Sequence, residues 1–333
     1  MFSNFLRWGA EVFGEAVDGP AQTTLPEQPQ GEIVPPTIGL ALGGGAARGW
    51  AHIGVVRTLI EAGYTIDLIA GTSMGAVVGG CHAAGKLDQL EAWARGLTRR
   101  RVFSMLDFSL GGAGMISGSR LQRLLEADLD KLQIEDLPIR FAAVATEITT
   151  GHEVWLTRGR LTDALRASYA LPGVFEAVHV GGRWLMDGAL VNPIPVSVAR
   201  SLGARLVVAV NLNADMYGRG AVLPEHGSDL SDEQIPLSAA EGKPELEREL
   251  RARMAGPPSI PTVMMEAFNI TQDRIARARL AGDPPDITIG PKLRQIGLFE
   301  FHRAEEAIEA GAEATRRILP DLAEAALALS QSP

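Results

Sequence analysis

The stretch Ile66-Asp67-Leu68-Ile69-Ala70-Gly71-Thr72-Ser73-Met74-Gly75-Ala76-Val77-Val78-Gly79-Gly80 decides how the rest of the chain is read. Residues 66–70 form a short apolar run of strand length, and from Met74 to about 84 the small and apolar residues continue as a buried helix would. Between them lies the chain's only Gly-x-Ser-x-Gly, running from Gly71 to Gly75. A serine on a tight strand-to-helix turn needs glycine on both sides, because the backbone is strained and neighbouring elements crowd it. The helix that follows directs N–H groups and positive dipole toward negative charge developing at the serine. The pattern alone is weak in a chain with 37 glycines, and its context is what raises it. Read blandly, the same residues are a glycine-rich βα turn with serine as N-cap.

Upstream, residues 38–42 read as a strand, Gly43-Gly44-Gly45-Ala46-Ala47-Arg48-Gly49 as a turn, and 47–62 as a helix. Together with the serine segment this is a βαβα unit. Such a crossover makes neighbouring parallel strands whose following turns emerge side by side at the carboxyl edge of the sheet. The two glycine-bearing loops therefore meet. Neither a Gly-Lys-Ser/Thr nor a G-x-G-x-x-G register fits the first loop, so a nucleotide-phosphate role fails. Consecutive glycines let main-chain N–H groups converge, which suits the oxyanion formed in acyl transfer. Arg48 sits near a helix N-terminus, where a cation is disfavoured, so another benefit must offset the cost. Three uses are open to it: holding an anionic head group, bracing the loop, or pairing with a nearby carboxylate.

A nucleophilic serine needs a base. Six histidines are available, and only His302 fits the Ser, acid, His chain order of an ordinary α/β-hydrolase, as Ser73, Asp187, His302. Asp187 ends an expected strand and precedes Gly188-Ala189, a turn that projects it from the sheet edge, although Asp-Gly alone is usually only a turn.

Further along, the pattern predicts a helix over 120–129, strands over 139–147 and 153–156, and a helix over 161–169. A hairpin over 178–180 and 183–187 follows, turning on Gly181 and Gly182, then a helix over 195–202 and an apolar strand over 205–212. Residues 263–280 are amphipathic, 286–289 read as a last strand, and 301–327 as a closing helix with a break at Pro320. The polar stretch 213–261 is an insertion, either a lid or a surface loop without a role. The segment 105–108 with the glycine-rich 111–118 is either a wall of the site or an ordinary surface loop.

These residues resemble those of the patatin-like phospholipases, most closely the bacterial RssA-like branch. The resemblance spans about 37–320 and rests on the glycine loop with Arg48-Gly49, the serine elbow, Phe141 to Thr146, Ala167-Ser168 with Leu171-Pro172-Gly173, and Asp187-Gly188-Ala189 with Val191-Asn192-Pro193-Ile194-Pro195. It implies a three-layer α/β/α fold with a mostly parallel sheet and a Ser-Asp dyad without histidine. Ser73 would then be the nucleophile, Asp187 the base, and His302 structural. It also implies main-chain donors around Gly44, Gly45 and Ala46, where Ala46 departs from the family's third glycine. No cofactor and no metal are needed for that chemistry.

Composition bounds the rest. With 46% hydrophobic and 21% charged residues the chain has material for a sizeable core. A net charge of −9 argues against nucleic acid and against purely electrostatic adhesion to anionic membranes. A lone Cys81 fits a reducing compartment, and no run of 18 apolar residues or secretory leader is seen, so a cytoplasmic protein is expected. Segment 1–36 combines an amphipathic start with a Pro/Gln-rich linker. Phe2, Phe5, Leu6, Trp8, Val12 and Phe13 lie near one face, to rest at the inner membrane surface or to pack on the protein or a partner subunit. Residues 37–320 form the main domain and 321–333 a tail. The expected partners are a lipid or other ester substrate, a peripheral membrane contact and, compatibly, a second copy of the chain. The reading from another class is a regulatory or partner-binding protein that keeps the fold with little activity.

Overall fold

The structure is a computed structural model that describes residues 35–105, 129, 131–215 and 259–330 of the 333. Segment 1–34, most of the 213–261 insertion, the 105–108 and 111–118 segments beyond residue 105, and the expected helix over 120–129 apart from Leu129 lie outside the described residues.

The body is a mixed eight-stranded sheet in the order β5-β6-β3-β2-β1-β7-β8, with β4 added on β3. The strands are β1 (Ile38–Leu42), β2 (Leu68–Thr72), β3 (Arg140–Glu147), β4 (Glu153–Leu156), β5 (Val178–Val180), β6 (Arg183–Asp187), β7 (Leu206–Val210) and β8 (Ile287–Ile289). The centre is parallel, since β1 pairs in parallel with β2 and β7, β2 with β3, and β7 with β8. Strands β4, β5 and β6 run antiparallel to their neighbours.

Side chains alternate across the strands and build two unequal cores. Leu40, Leu42 and Ile69 face a large cluster with α1 (Ala51–Glu61), α2 (Met74–Ala83), α3 (Leu87–Arg95), α5 (Leu161–Tyr169) and α8 (Ala304–Ser330). Ala41, Ala70 and Val144 face a smaller cluster with α6 (Val196–Ser201) and α7 (Ile260–Gly282). Between α3 and β3 comes α4 (Arg99–Met105). The result is the three-layer α/β/α arrangement expected.

The structure differs from the sequence reading in four places. β2 extends two residues later than expected, because Gly71 and Thr72 still pair with Ala143 and Val144 and the turn begins at Ser73 itself. The first helix opens as a 3₁₀ turn over Ala46–Trp50, tightened by the Arg48 N–H to the Gly45 carbonyl. Helices α3 and α4 were not anticipated. Helix α8 runs through Pro320 without the expected break, and Leu322 beyond the proline is fully buried. Packing of Leu322 into the main core helps offset the lost hydrogen bond and ring clash, so the helix continues over residues 321–330, where a tail was expected.

Candidate active site

Ser73 stands between the last residue of β2 and the first of α2 with φ 55° and ψ −123°, a region that side-chain-bearing residues seldom occupy. The flanking glycines make the turn fit. A Cβ on Gly75 would lie 2.1 Å from the Leu42 carbonyl oxygen, and one on Gly71 2.5 Å from the Ala76 Cα. The turn is pinned from three sides. The Ser73 N–H donates to Ser168 Oγ at 2.9 Å, the Ser168 hydroxyl donates to the Val144 carbonyl, and the Thr72 hydroxyl donates to the Asn192 carbonyl at 2.8 Å.

Sheet register brings the aspartate to the serine. Thr72 lies opposite Val144, and Asp187 opposite the next residue, Ala145, so the ends of β2 and β6 converge on one point of β3. Gly188 is required there, since a Cβ would meet the Val144 carbonyl oxygen at 2.3 Å. The Ser73 hydroxyl donates to Asp187 Oδ2 at 2.7 Å, and the Ala189 N–H donates to Oδ1 at 2.8 Å. The Asp187 backbone is held as well, its N–H by the Ala170 carbonyl and its own carbonyl by the Thr146 hydroxyl. Asp187 is 2% exposed. Burial pushes its carboxyl up from 3.8 to about 6, against the Ala189 N–H and the Ser73 hydroxyl, which favour the charged form.

The glycine loop follows β1 into the same place. The Gly43 N–H donates to the Val210 carbonyl and the Gly44 N–H to the Pro193 carbonyl at 3.0 Å. Gly44 therefore borders the site without offering a donor, which corrects its expected role. The N–H groups of Gly45 and Ala46 have no acceptor among the described residues, and both residues line the groove. Ala46 has φ 47°, the left-handed conformation that a glycine would adopt at less cost. Behind the loop, His52 Nε2 donates to the Gly43 carbonyl at 2.7 Å, which sets its tautomer because a carbonyl only accepts. Burial lowers the His52 pKa to about 4, so the ring is neutral.

Arg48 departs from the expected head-group contact. It is 4% exposed, with Nε donating to the Ile296 carbonyl and one terminal nitrogen to Asn213 Oδ1. That arrangement ties the glycine loop to two distant segments, the bracing role. His302 lies elsewhere, accepting a hydrogen bond from Arg99, and His52 is the only described histidine beside the loop.

Ser73, Asp187, Gly45 and Ala46 open into a groove with a cavity volume of about 100 Å³. Its walls are mostly apolar: Trp93, Leu97 and Val102 from α3, α4 and their junction, Tyr169 at the end of α5 with Leu171 and Phe175 beyond it, Met265 and Phe268 from α7, and Leu298, Phe299 and Phe301 before α8. Asn213, Asn269 and Gln272 are polar exceptions. Sequence reasoning left Ser168, Thr146 and this lining without roles. The Leu87, Leu90, Ala94 and Leu97 spacing is the signal that would have revealed the helix carrying the α3 wall.

A three-layer α/β/α fold with a strained serine elbow facing an apolar groove defines the class of protein. The family described as patatin-like phospholipase matches residues 40–200. An uncharacterized NTE family protein of Mycobacterium tuberculosis is 36% identical over 325 aligned residues, covering 83% of this chain and 89% of the relative. Patatin-like phospholipase domain-containing protein 6 of Mus musculus is 36% identical over 185 residues, which is 54% of this chain and 14% of that protein. VipD from Legionella pneumophila aligns in structure with a TM-score of 0.46 and 13% identity, over 86% of this chain and 67% of that one. The chain belongs to the patatin-like phospholipase family. The Mycobacterium tuberculosis relative carries the NTE family name, and the family rather than the RssA-like branch is what these likenesses show.

Proposed function

We propose that the protein is a serine acyl hydrolase that cleaves lipid or other carboxylic esters through Ser73 and Asp187. The observation that carries this reading is the 2.7 Å hydrogen bond from the Ser73 hydroxyl to a buried carboxylate at the mouth of an apolar groove. Ionised Asp187 takes the serine proton as Oγ attacks the ester carbonyl, and the apolar walls take the acyl chain. The oxyanion rests on the N–H groups of Gly45 and Ala46, assisted by that of Met74 at the start of α2. Asp187 returns the proton to the departing alcohol, then accepts one from the water that attacks the acyl-enzyme. In this reading no metal ion takes part, and histidine has no share in the proton transfer.

The test is hydrolysis of short-chain nitrophenyl esters and of lysophosphatidylcholine by wild type, Ser73→Ala and Asp187→Asn, with a chelator present. Both variants are expected to lose kcat by about a thousandfold or more. Wild-type activity is expected to rise with pH through about 6, as Asp187 ionises. A folded wild type inactive on every ester would leave the regulatory reading standing.

A further inference from the structure

The proposed proton transfers leave His52 unused, although it stands on α1 directly behind the glycine loop and is fully buried. Ile53, Val55 and Val56, beside it in the same helix, belong to the large core. Burial keeps the ring neutral, with the Nε2 hydrogen donated to the Gly43 carbonyl at 2.7 Å and Nδ1 without a partner among the described residues. An unpaired ring nitrogen is costly in an apolar core, and an aliphatic or phenyl side chain there would carry no such cost. The ring's single hydrogen bond is what can offset it.

That bond falls on the peptide from which the loop takes its direction. Gly43, Gly44 and Gly45 have no Cβ to restrict them, so the course of the loop depends on its hydrogen bonds. The Gly43–Gly44 peptide is held at both ends, its carbonyl by His52 and its N–H by the Pro193 carbonyl at 3.0 Å. On the far side the Gly45 carbonyl accepts the Arg48 N–H at 3.1 Å. Between these anchors lie the N–H groups of Gly45 and Ala46, the proposed oxyanion donors. The Gly43 carbonyl also backs the serine turn, since a Cβ on Gly75 would lie 2.8 Å from its oxygen. Removing the His52 donor leaves a buried carbonyl unpaired, and any rotation of that peptide redirects the N–H groups that follow it.

Resting on the hydrolase reading above, we infer that His52 is a positioning residue, which by fixing the Gly43 carbonyl aims the N–H groups of Gly45 and Ala46 at the oxyanion. Initial rates on p-nitrophenyl butyrate, with denaturant midpoints to establish folding, compare wild type with His52→Gln, His52→Phe and His52→Leu. Glutamine carries an N–H at about the reach of Nε2, whereas phenylalanine and leucine carry none. His52→Phe and His52→Leu are expected to lose kcat by roughly tenfold to a hundredfold with KM within about threefold of wild type, and His52→Gln to recover kcat to within about threefold. A side chain that only fills the core reverses this order, because the apolar residues suit such a place better than an amide. Two apolar shapes are used so that misfolding of one leaves the other to decide. A folded His52→Phe or His52→Leu that turns over like wild type overturns the inference alone. So does a rise in KM at unchanged kcat, or a folded His52→Gln as slow as the apolar variants. Wild type inactive on the ester overturns the hydrolase reading and this one with it.

Discussion

Ser73 holds φ 55° without being glycine, at a cost of about 1–3 kcal/mol, and the three groups bonded to it and to Thr72 keep it there. Ser73→Gly is therefore expected to be inactive and yet to unfold at a higher denaturant concentration than Ser73→Ala, which keeps the strain. Equal midpoints would contradict a strained elbow. Asp187 stores cost in another form. Its folded pKa of about 6 lies above the usual 3.8, so the folded protein binds that proton more tightly than the unfolded chain does. The associated stability is fully present below about pH 4 and is lost as pH rises through about 6. Asp187→Asn, which can still accept from Ala189 and donate to Ser73, is expected to be more stable than wild type at about pH 8 by on the order of 1–3 kcal/mol. That advantage is expected to vanish near pH 4, which a pair of urea titrations at the two pH values checks.

Among the elements, those whose signals are local were legible with their bounds. Strand β4, helix α5 and the β5–β6 hairpin fall where alternation and Gly181-Gly182 put them. The serine elbow was legible in kind but displaced along β2, because pairing of Gly71 and Thr72 with β3 is a tertiary fact that local apolarity does not encode. Likewise Pro320 reads as a breaker until the burial of Leu322 is known. Close approach of α1 and α8 is another long-range feature. A Cβ on Gly54 would lie 1.9 Å from the Ile308 carbonyl oxygen, and one on Gly311 2.0 Å from that of Ala51. Gly311→Ala is expected to force the helices apart and to destabilise the protein by about 1–3 kcal/mol in denaturant unfolding, against a near-zero effect if the helices slide freely.

At the scale of the molecule, the proposed catalytic pair was visible in the chain while the groove was not. Ser73 and Asp187 announce themselves through turn chemistry, whereas the groove gathers residues from α3 to the segment before α8, brought together only by the fold. Arg48 shows the same limit. Its charge near a helix start signalled a special role, but only the fold reveals that its partners are the Ile296 carbonyl and Asn213. No described helix is long and apolar enough to cross a membrane. The groove opens at the carboxyl edge of the parallel strands, where both glycine-bearing loops emerge side by side, and in the proposed reaction it takes the acyl chain.

The central claim is that Ser73 is the nucleophile and Asp187 its base, and covalent labelling tests it most directly. Intact-mass and peptide mass spectrometry after treatment with an alkyl fluorophosphonate reads the modified residue and the rate of modification. The account predicts a single adduct on Ser73, none in Ser73→Ala, and labelling slowed at least about a hundredfold in Asp187→Asn. An adduct on another residue, or Asp187→Asn labelling as fast as wild type, would contradict it.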